Sequence, residues 1–146
     1  MKAIRGTDLT VFELCLGTNP FGWTTSESEA FATLDAYVAA GGNFIDTADT
    51  YSVWVDGHSG GESETVIGRW LTARDNRDGL VIATKVGGLG GLGTQNVLSR
   101  VDGCLGRLGI DQIDLLYAHF DDPDTPVGCQ NSIVRWRRAF RISASP

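Results

Sequence analysis

A chain of 146 residues has the usual size of one domain and is long enough to bury its own core. With 42% apolar and 21% charged residues, and no apolar run near the roughly 18 residues of a membrane span, it reads as a soluble globular protein with no membrane segment. A net charge of −6 argues against generic nucleic-acid binding, and the opening MKAIRGTDLT lacks the apolar stretch of a secretory signal.

Cys15, Cys104 and Cys129 are odd in number and have no metal-ligand spacing. Cys15 and Cys104 fall on apolar faces, so both are expected as buried free thiols in a reducing, cytoplasmic compartment. Charge changes sharply along the chain. Residues 1–127 carry eighteen acids against eight Lys or Arg, whereas 128–146 carry no acid and four arginines, at 135, 137, 138 and 141. The two parts do not read as one continuous protein.

Leu9 to Gly17 reads as a strand stopped at Gly17-Thr18-Asn19-Pro20, with the opening residues pairing as a small hairpin against its first half. Ser26 offers an N-cap and Glu29 completes a capping box. Phe31, Leu34 and Val38 follow at helical spacing, and Gly41-Gly42 ends that helix. Asn43 to Asp46 is a short buried strand, followed by a polar, glycine-rich loop through Gly61 that carries Trp54 and His58. Glu62 to about Ala73 is a helix with acids in its first turn. Leu80 to Lys85 is a buried strand, Thr94 to Leu108 a third helix, and Ile113 to His119 a fourth strand. Strand starts recur about every 30 to 35 residues, which is the beat of parallel βα units in an α/β protein. Barrel and open sheet are not separated by this pattern.

Gly88 to Gly93 matches GxGxxG between a strand and a helix, which raises a Rossmann-type dinucleotide site as a minor alternative. Lys85 at the strand end, and the absence of an acid closing the next strand, weigh against it. Asp121, Asp122 and Asp124 read as a solvated acidic loop rather than a cation site.

The strand ends carry a different pattern. Asp46 closes the second strand, Lys85 the third and His119 the fourth, with Tyr51 in the loop after the second. In a parallel βα array these ends share one face, where barrel enzymes place their chemistry. Each residue singly has a bland reading; together they are chemically complementary. A phenol is a poor proton donor at neutral pH, and a nearby ammonium eases proton release. Asp46 would hold Lys85 charged, Tyr51 would give a proton to a substrate oxygen, and His119 would orient that oxygen. Such a site protonates a carbonyl during reduction, and since no side chain supplies hydride, a nicotinamide cofactor is implied.

LCLGTNPFG at 14–22, GGNFIDTADTY at 41–51, GGESETVIGRWL at 60–71, IATKVG at 82–87 and LGRLGIDQIDLLYAHFDDPDTPV at 105–127 resemble the aldo-keto reductases. These are NAD(P)H-dependent (β/α)8-barrel enzymes that reduce aldehydes and ketones. The resemblance implies a catalytic tetrad of Asp46, Tyr51, Lys85 and His119, and places Thr18 and Asp46 near the nicotinamide. It implies NADPH as cofactor, with NADH as the other option, and a small carbonyl compound as substrate.

The likeness runs to about residue 127, after about four of the eight strands of a TIM-type barrel, which typically takes more than 200 residues. The loops that hold the cofactor's adenosine phosphates belong to the other half. Residues 128–146 form a non-family, Arg-rich tail, expected to be disordered or translated out of frame. Permitted codons for Arg135 to Pro146, read from the third base of the first, give the family-like LAKGVPHIGIS. Activity is then expected to be impaired, and a non-catalytic half-barrel or a partner-binding module is the alternative, since channel-associated subunits share this fold. Open sheet edges predict self-association.

Overall fold

The structure, a computed structural model, describes residues 1–125 and 134–137. Its elements in order are β1 (Lys2–Ala3), β2 (Thr10–Val11), β3 (Leu16–Gly17), α1 (Glu27–Ala39), β4 (Phe44–Asp46), α2 (Glu62–Arg74), β5 (Val81–Val86), α3 (Thr94–Leu108), β6 (Gln112–Ala118) and β7 (Val134–Arg137). The sheet has the order β3-β4-β5-β6-β7, and its first four strands are parallel. The α/β alternation expected from the spacing is therefore present.

Two features differ from expectation. The run Leu9–Gly17 is not one strand. It splits into β2, which pairs antiparallel with β1 as the expected hairpin, and β3 on the sheet edge. Cys15 lies at that break and is exposed, not buried, while Cys104 is buried as expected. At the other edge, Val134–Arg137 pair antiparallel with β6, within the tail that the sequence reading expects to be disordered or out of frame. A sheet edge presents a row of unpaired N–H and C=O groups that an added strand satisfies. The rest of the tail, with its frame question, lies outside the described residues.

Helix signals in the sequence act locally as their chemistry dictates. Ser26 caps α1 in a reciprocal box with Glu29, and Gly41, at φ 89°, turns the chain out of the helix. Gly109, at φ 66°, does the same for α3. Successive strand residues face opposite sides. Ile45, Ile82, Val86 and Leu116 pack under the helices with Leu34, Ile67, Trp70, Val101, Leu105 and Leu108. Phe44, Val81, Ala83, Leu115 and Tyr117 face the other way, against Leu9 and Val11 of the hairpin region. By the same alternation Asp46, Lys85 and His119 belong to this second face, at the C-terminal ends of their strands. Trp70, fully buried, ties α2 to α1 by donating its indole N–H to Asp35 at 2.8 Å. Gly68 lets α2 approach α3 closely, because a Cβ there would collide with the Arg107 carbonyl. No helix among the described residues is long and apolar enough to cross a membrane.

Candidate active site

The site begins with strand register. Asp46 pairs with Ala83, one pleat before Lys85, so the long lysine side chain reaches back over the carboxylate. Lys85 Nζ donates to Asp46 Oδ2 at 2.6 Å, to the Thr47 carbonyl at 2.8 Å and to the Tyr51 hydroxyl at 2.7 Å. An ammonium has three protons, and all three are used. Asp46 and Lys85 remain 20% and 18% exposed, so a ligand can reach them.

Tyr51 is brought in by the loop after β4. The Asp49 amide donates to the Lys85 carbonyl, pinning the loop to the end of β5, and Ser52, at φ 66°, takes a left-handed turn immediately after Tyr51. That conformation is costly for a residue with a Cβ, and here it re-aims the chain beside the cluster. The Tyr51 hydroxyl lies 3.5 Å from Asp46 Oδ2, too far to hold its proton firmly.

His119 follows β6, its amide bonded to the Val86 carbonyl at 2.8 Å. Its ring meets the Tyr51 ring edge-on with centroids 6.0 Å apart and stacks on Phe120 at 4.5 Å. Burial, and then the Lys85 charge, push its pKa below the ordinary imidazole value, so the ring is held neutral. Nδ1 lies 3.0 Å from Thr50 Oγ1. Gly88 passes so close to Thr50 and His119 that a Cβ there would sit 3.0 Å from Thr50 Cγ2 and 3.3 Å from Nδ1. One glycine of the GxGxxG stretch thus has a reason unconnected with nucleotide phosphates.

The structure therefore brings Asp46, Tyr51, Lys85 and His119 together. Thr18 is placed differently: it is fully buried, and its hydroxyl contacts the Asp46 carbonyl at 2.9 Å and Ser63 Oγ at 2.7 Å. It stands behind Asp46 with its hydroxyl turned into protein. Thr50 and Ser63 were not singled out from sequence; small hydroxyl residues in DTADTY and GESE look like turn and helix-start filler. Trp54 is half exposed and meets Trp23 edge-on at 5.6 Å. Asp122 caps the glycine loop, accepting from the Leu92 amide at 2.7 Å and the Thr125 hydroxyl at 2.7 Å.

Residues 13–141 match the model of the Aldo/keto reductase family. The chain belongs to that family. The match extends past residue 127, where the sequence likeness was drawn to a close, and includes β7. Norsolorinic acid reductase B of Aspergillus parasiticus is 38% identical over 134 residues, covering 78% of this chain and 33% of its own length. Protein tas of Escherichia coli is 36% identical over 137 residues, covering 86% of this chain and 39% of its own. An aldo-keto reductase from Bacillus halodurans, in its holo form, superposes with a TM-score of 0.72 at 31% identity, covering 87% of this chain and 42% of that one. A putative aldo-keto reductase from Pseudomonas aeruginosa gives 0.71 at 33%, covering 84% and 47%. The chain thus spans less than half the length of these relatives. An uncharacterised 11.2 kDa protein of Pseudescherichia vulneris, by contrast, is 44% identical over 88 residues and has 85% of its length covered. Membership of the aldo/keto reductases displaces the Rossmann alternative, and the parallel sheet is the corresponding part of a TIM-type barrel.

Proposed function

We propose that Asp46, Tyr51, Lys85 and His119 form the proton-delivery site of a nicotinamide-dependent reductase acting on aldehydes or ketones. The observation that carries this reading is the Lys85 ammonium, bonded at once to the Asp46 carboxylate and the Tyr51 phenol. Lys85 spends a proton on the Tyr51 oxygen, which leaves the phenol's own proton free for a ligand oxygen. As that proton leaves, negative charge develops 2.7 Å from an ammonium that Asp46 holds in place. A Thr50 hydroxyl that donates to Nδ1 leaves the His119 ring proton on Nε2, where it can hydrogen-bond the same oxygen. The substrate carbonyl oxygen gains the Tyr51 proton and becomes the alcohol hydroxyl, and solvent restores the phenol.

The nicotinamide supplies, when bound, the hydride that these side chains lack. The donor set suits it: an open polar cluster in which Asp46 Oδ2 is committed to Lys85, leaving Oδ1 as an acceptor for the cofactor. Asp46 would hold its nicotinamide end, while Thr18, whose amide donates to the Asp46 carbonyl, supports it from behind, and NADPH is the preferred form.

The test is aldehyde-dependent consumption of millimolar NADPH by the chain and by Lys85→Met. General acid catalysis is worth about 10²–10⁴-fold, so the variant is expected to lose at least about 100-fold in turnover. Equal rates for the two would refute the proposal. A second reading, a non-catalytic half-barrel, predicts no turnover by either protein.

A further inference from the structure

Behind the tetrad, three fully buried hydroxyl groups from three elements meet: Thr18 after β3, Thr47 after β4, and Ser63 in the first turn of α2. Thr47 Oγ1 donates to Ser63 Oγ at 3.0 Å, and Ser63 Oγ lies 2.7 Å from Thr18 Oγ1 and 2.9 Å from the Thr18 carbonyl. Thr18 Oγ1 in turn reaches the Asp46 carbonyl at 2.9 Å. Four contacts share three protons, so not all are made at once. The run Thr47 to Ser63 to Thr18 to the Asp46 carbonyl uses each proton once, and aligned hydroxyls in a buried site strengthen one another. Both ends of this run carry the acceptors of the lysine. Asp46 supplies Oδ2 and Thr47 its carbonyl to Lys85 Nζ.

We infer that Ser63 is a positioning residue: through Thr18 and Thr47 it fixes the Asp46–Thr47 segment, and thereby the Lys85 ammonium beside Tyr51. It touches neither the lysine nor the phenol, and on the proposed reading no reacting atom. The hydroxyl run itself stands on geometry alone. Only the consequence for catalysis rests on the reductase reading of the tetrad.

Lys2 and Lys85 are the only lysines in the sequence, which gives an assay independent of cofactor and turnover. Reductive methylation, followed by peptide mass spectrometry, compares the partly buried, triply hydrogen-bonded Lys85 with exposed Lys2 in one molecule. In the wild type Lys85 is expected to label much more slowly than Lys2. Ser63→Ala and the isosteric Thr18→Val are expected to raise the Lys85-to-Lys2 ratio several-fold, whereas Thr18→Ser, which keeps the hydroxyl, retains the protection. Where turnover is measured, Ser63→Ala should lower kcat by about 10- to 100-fold, as small misplacements do, with little change in KM. Should Ser63→Ala fail to fold by circular dichroism, the Thr18→Val and Thr18→Ser pair decides. An unchanged labelling ratio in Thr18→Val, or equal deprotection in Thr18→Ser, overturns the inference. A raised ratio combined with undiminished reduction by Tyr51→Phe leaves the positioning role standing and refutes the reductase reading instead.

Discussion

Asp49 shows most clearly what the loop after β4 costs. Its side chain is fully buried, neither carboxylate oxygen has a hydrogen-bond partner, and the nearest cation, Arg100 Nη1, is 3.7 Å away. Burial raises its pKa from 3.8 to about 6, against the partial relief of Arg100. A carboxyl whose folded pKa lies above its unfolded value holds its proton in the native state after the unfolded chain has released it. Stability therefore falls as pH rises from about 4 to about 6, and the loss is complete above that window. Asp49→Asn is expected to remove this slope and to stabilise the chain near pH 7 by about 3 kcal/mol, at 1.36 kcal/mol per pKa unit. Denaturant melts at the two ends of the window check it, and an unchanged or steeper slope in the variant would contradict it. Nothing in DTADTY distinguishes this aspartate from Asp46 three residues earlier. The strand pleat sends Asp46 to the ligand side, whereas the turn beyond β4 carries Asp49 to Arg100 of α3.

At the scale of elements, α2 and α3 are joined by a buried ion pair. Glu64 is fully buried. Its Oε1 accepts from Thr84 of β5 at 2.6 Å and its Oε2 from Arg107 Nε at 2.8 Å. Removing Arg107 strands the Glu64 carboxylate away from water. Arg107→Leu is therefore expected to cost about 3 kcal/mol, while the double variant Glu64→Met, Arg107→Leu recovers most of it. Thermal melts of the single and double variants test this, and equal destabilisation by both would contradict it. The pair was not legible in the sequence, because acids in a first helical turn and a basic residue in a last turn already have a sufficient local reason in the helix dipole. What was legible followed local chemistry. The Ser26–Glu29 box, the glycine stops and the strand ends at Asp46 and Lys85 each obey rules that operate within a few residues. The break after Val11, the exposure of Cys15 and the pairing of Val134–Arg137 on β6 depend on tertiary neighbours, and residue pattern alone does not reach them. The tetrad was legible because strand ends in a βα array converge by topology. The Ser63 hydroxyl run behind it was not, because serine and threonine carry no sign of whom they will meet.

For the whole molecule, the face opposite the helices carries Phe44, Ala83, Leu115 and Tyr117, covered at one end by the hairpin region. In the solved relatives the matched segment is 42% to 47% of the chain. The β3 edge of the sheet has no further strand partner among the described residues, so the 146-residue chain is expected to self-associate through it. Size-exclusion chromatography with light scattering should show assemblies larger than one chain, and a monodisperse monomer across the micromolar range would contradict this. The central claim concerns the face that holds the tetrad: that Tyr51, primed by Lys85, delivers the proton in carbonyl reduction. Its most direct test is Tyr51→Phe, measured for NADPH-dependent aldehyde reduction and for NADPH binding by fluorescence titration. The account predicts turnover lowered by at least about 100-fold with cofactor affinity nearly unchanged; turnover equal to that of the wild type would contradict it.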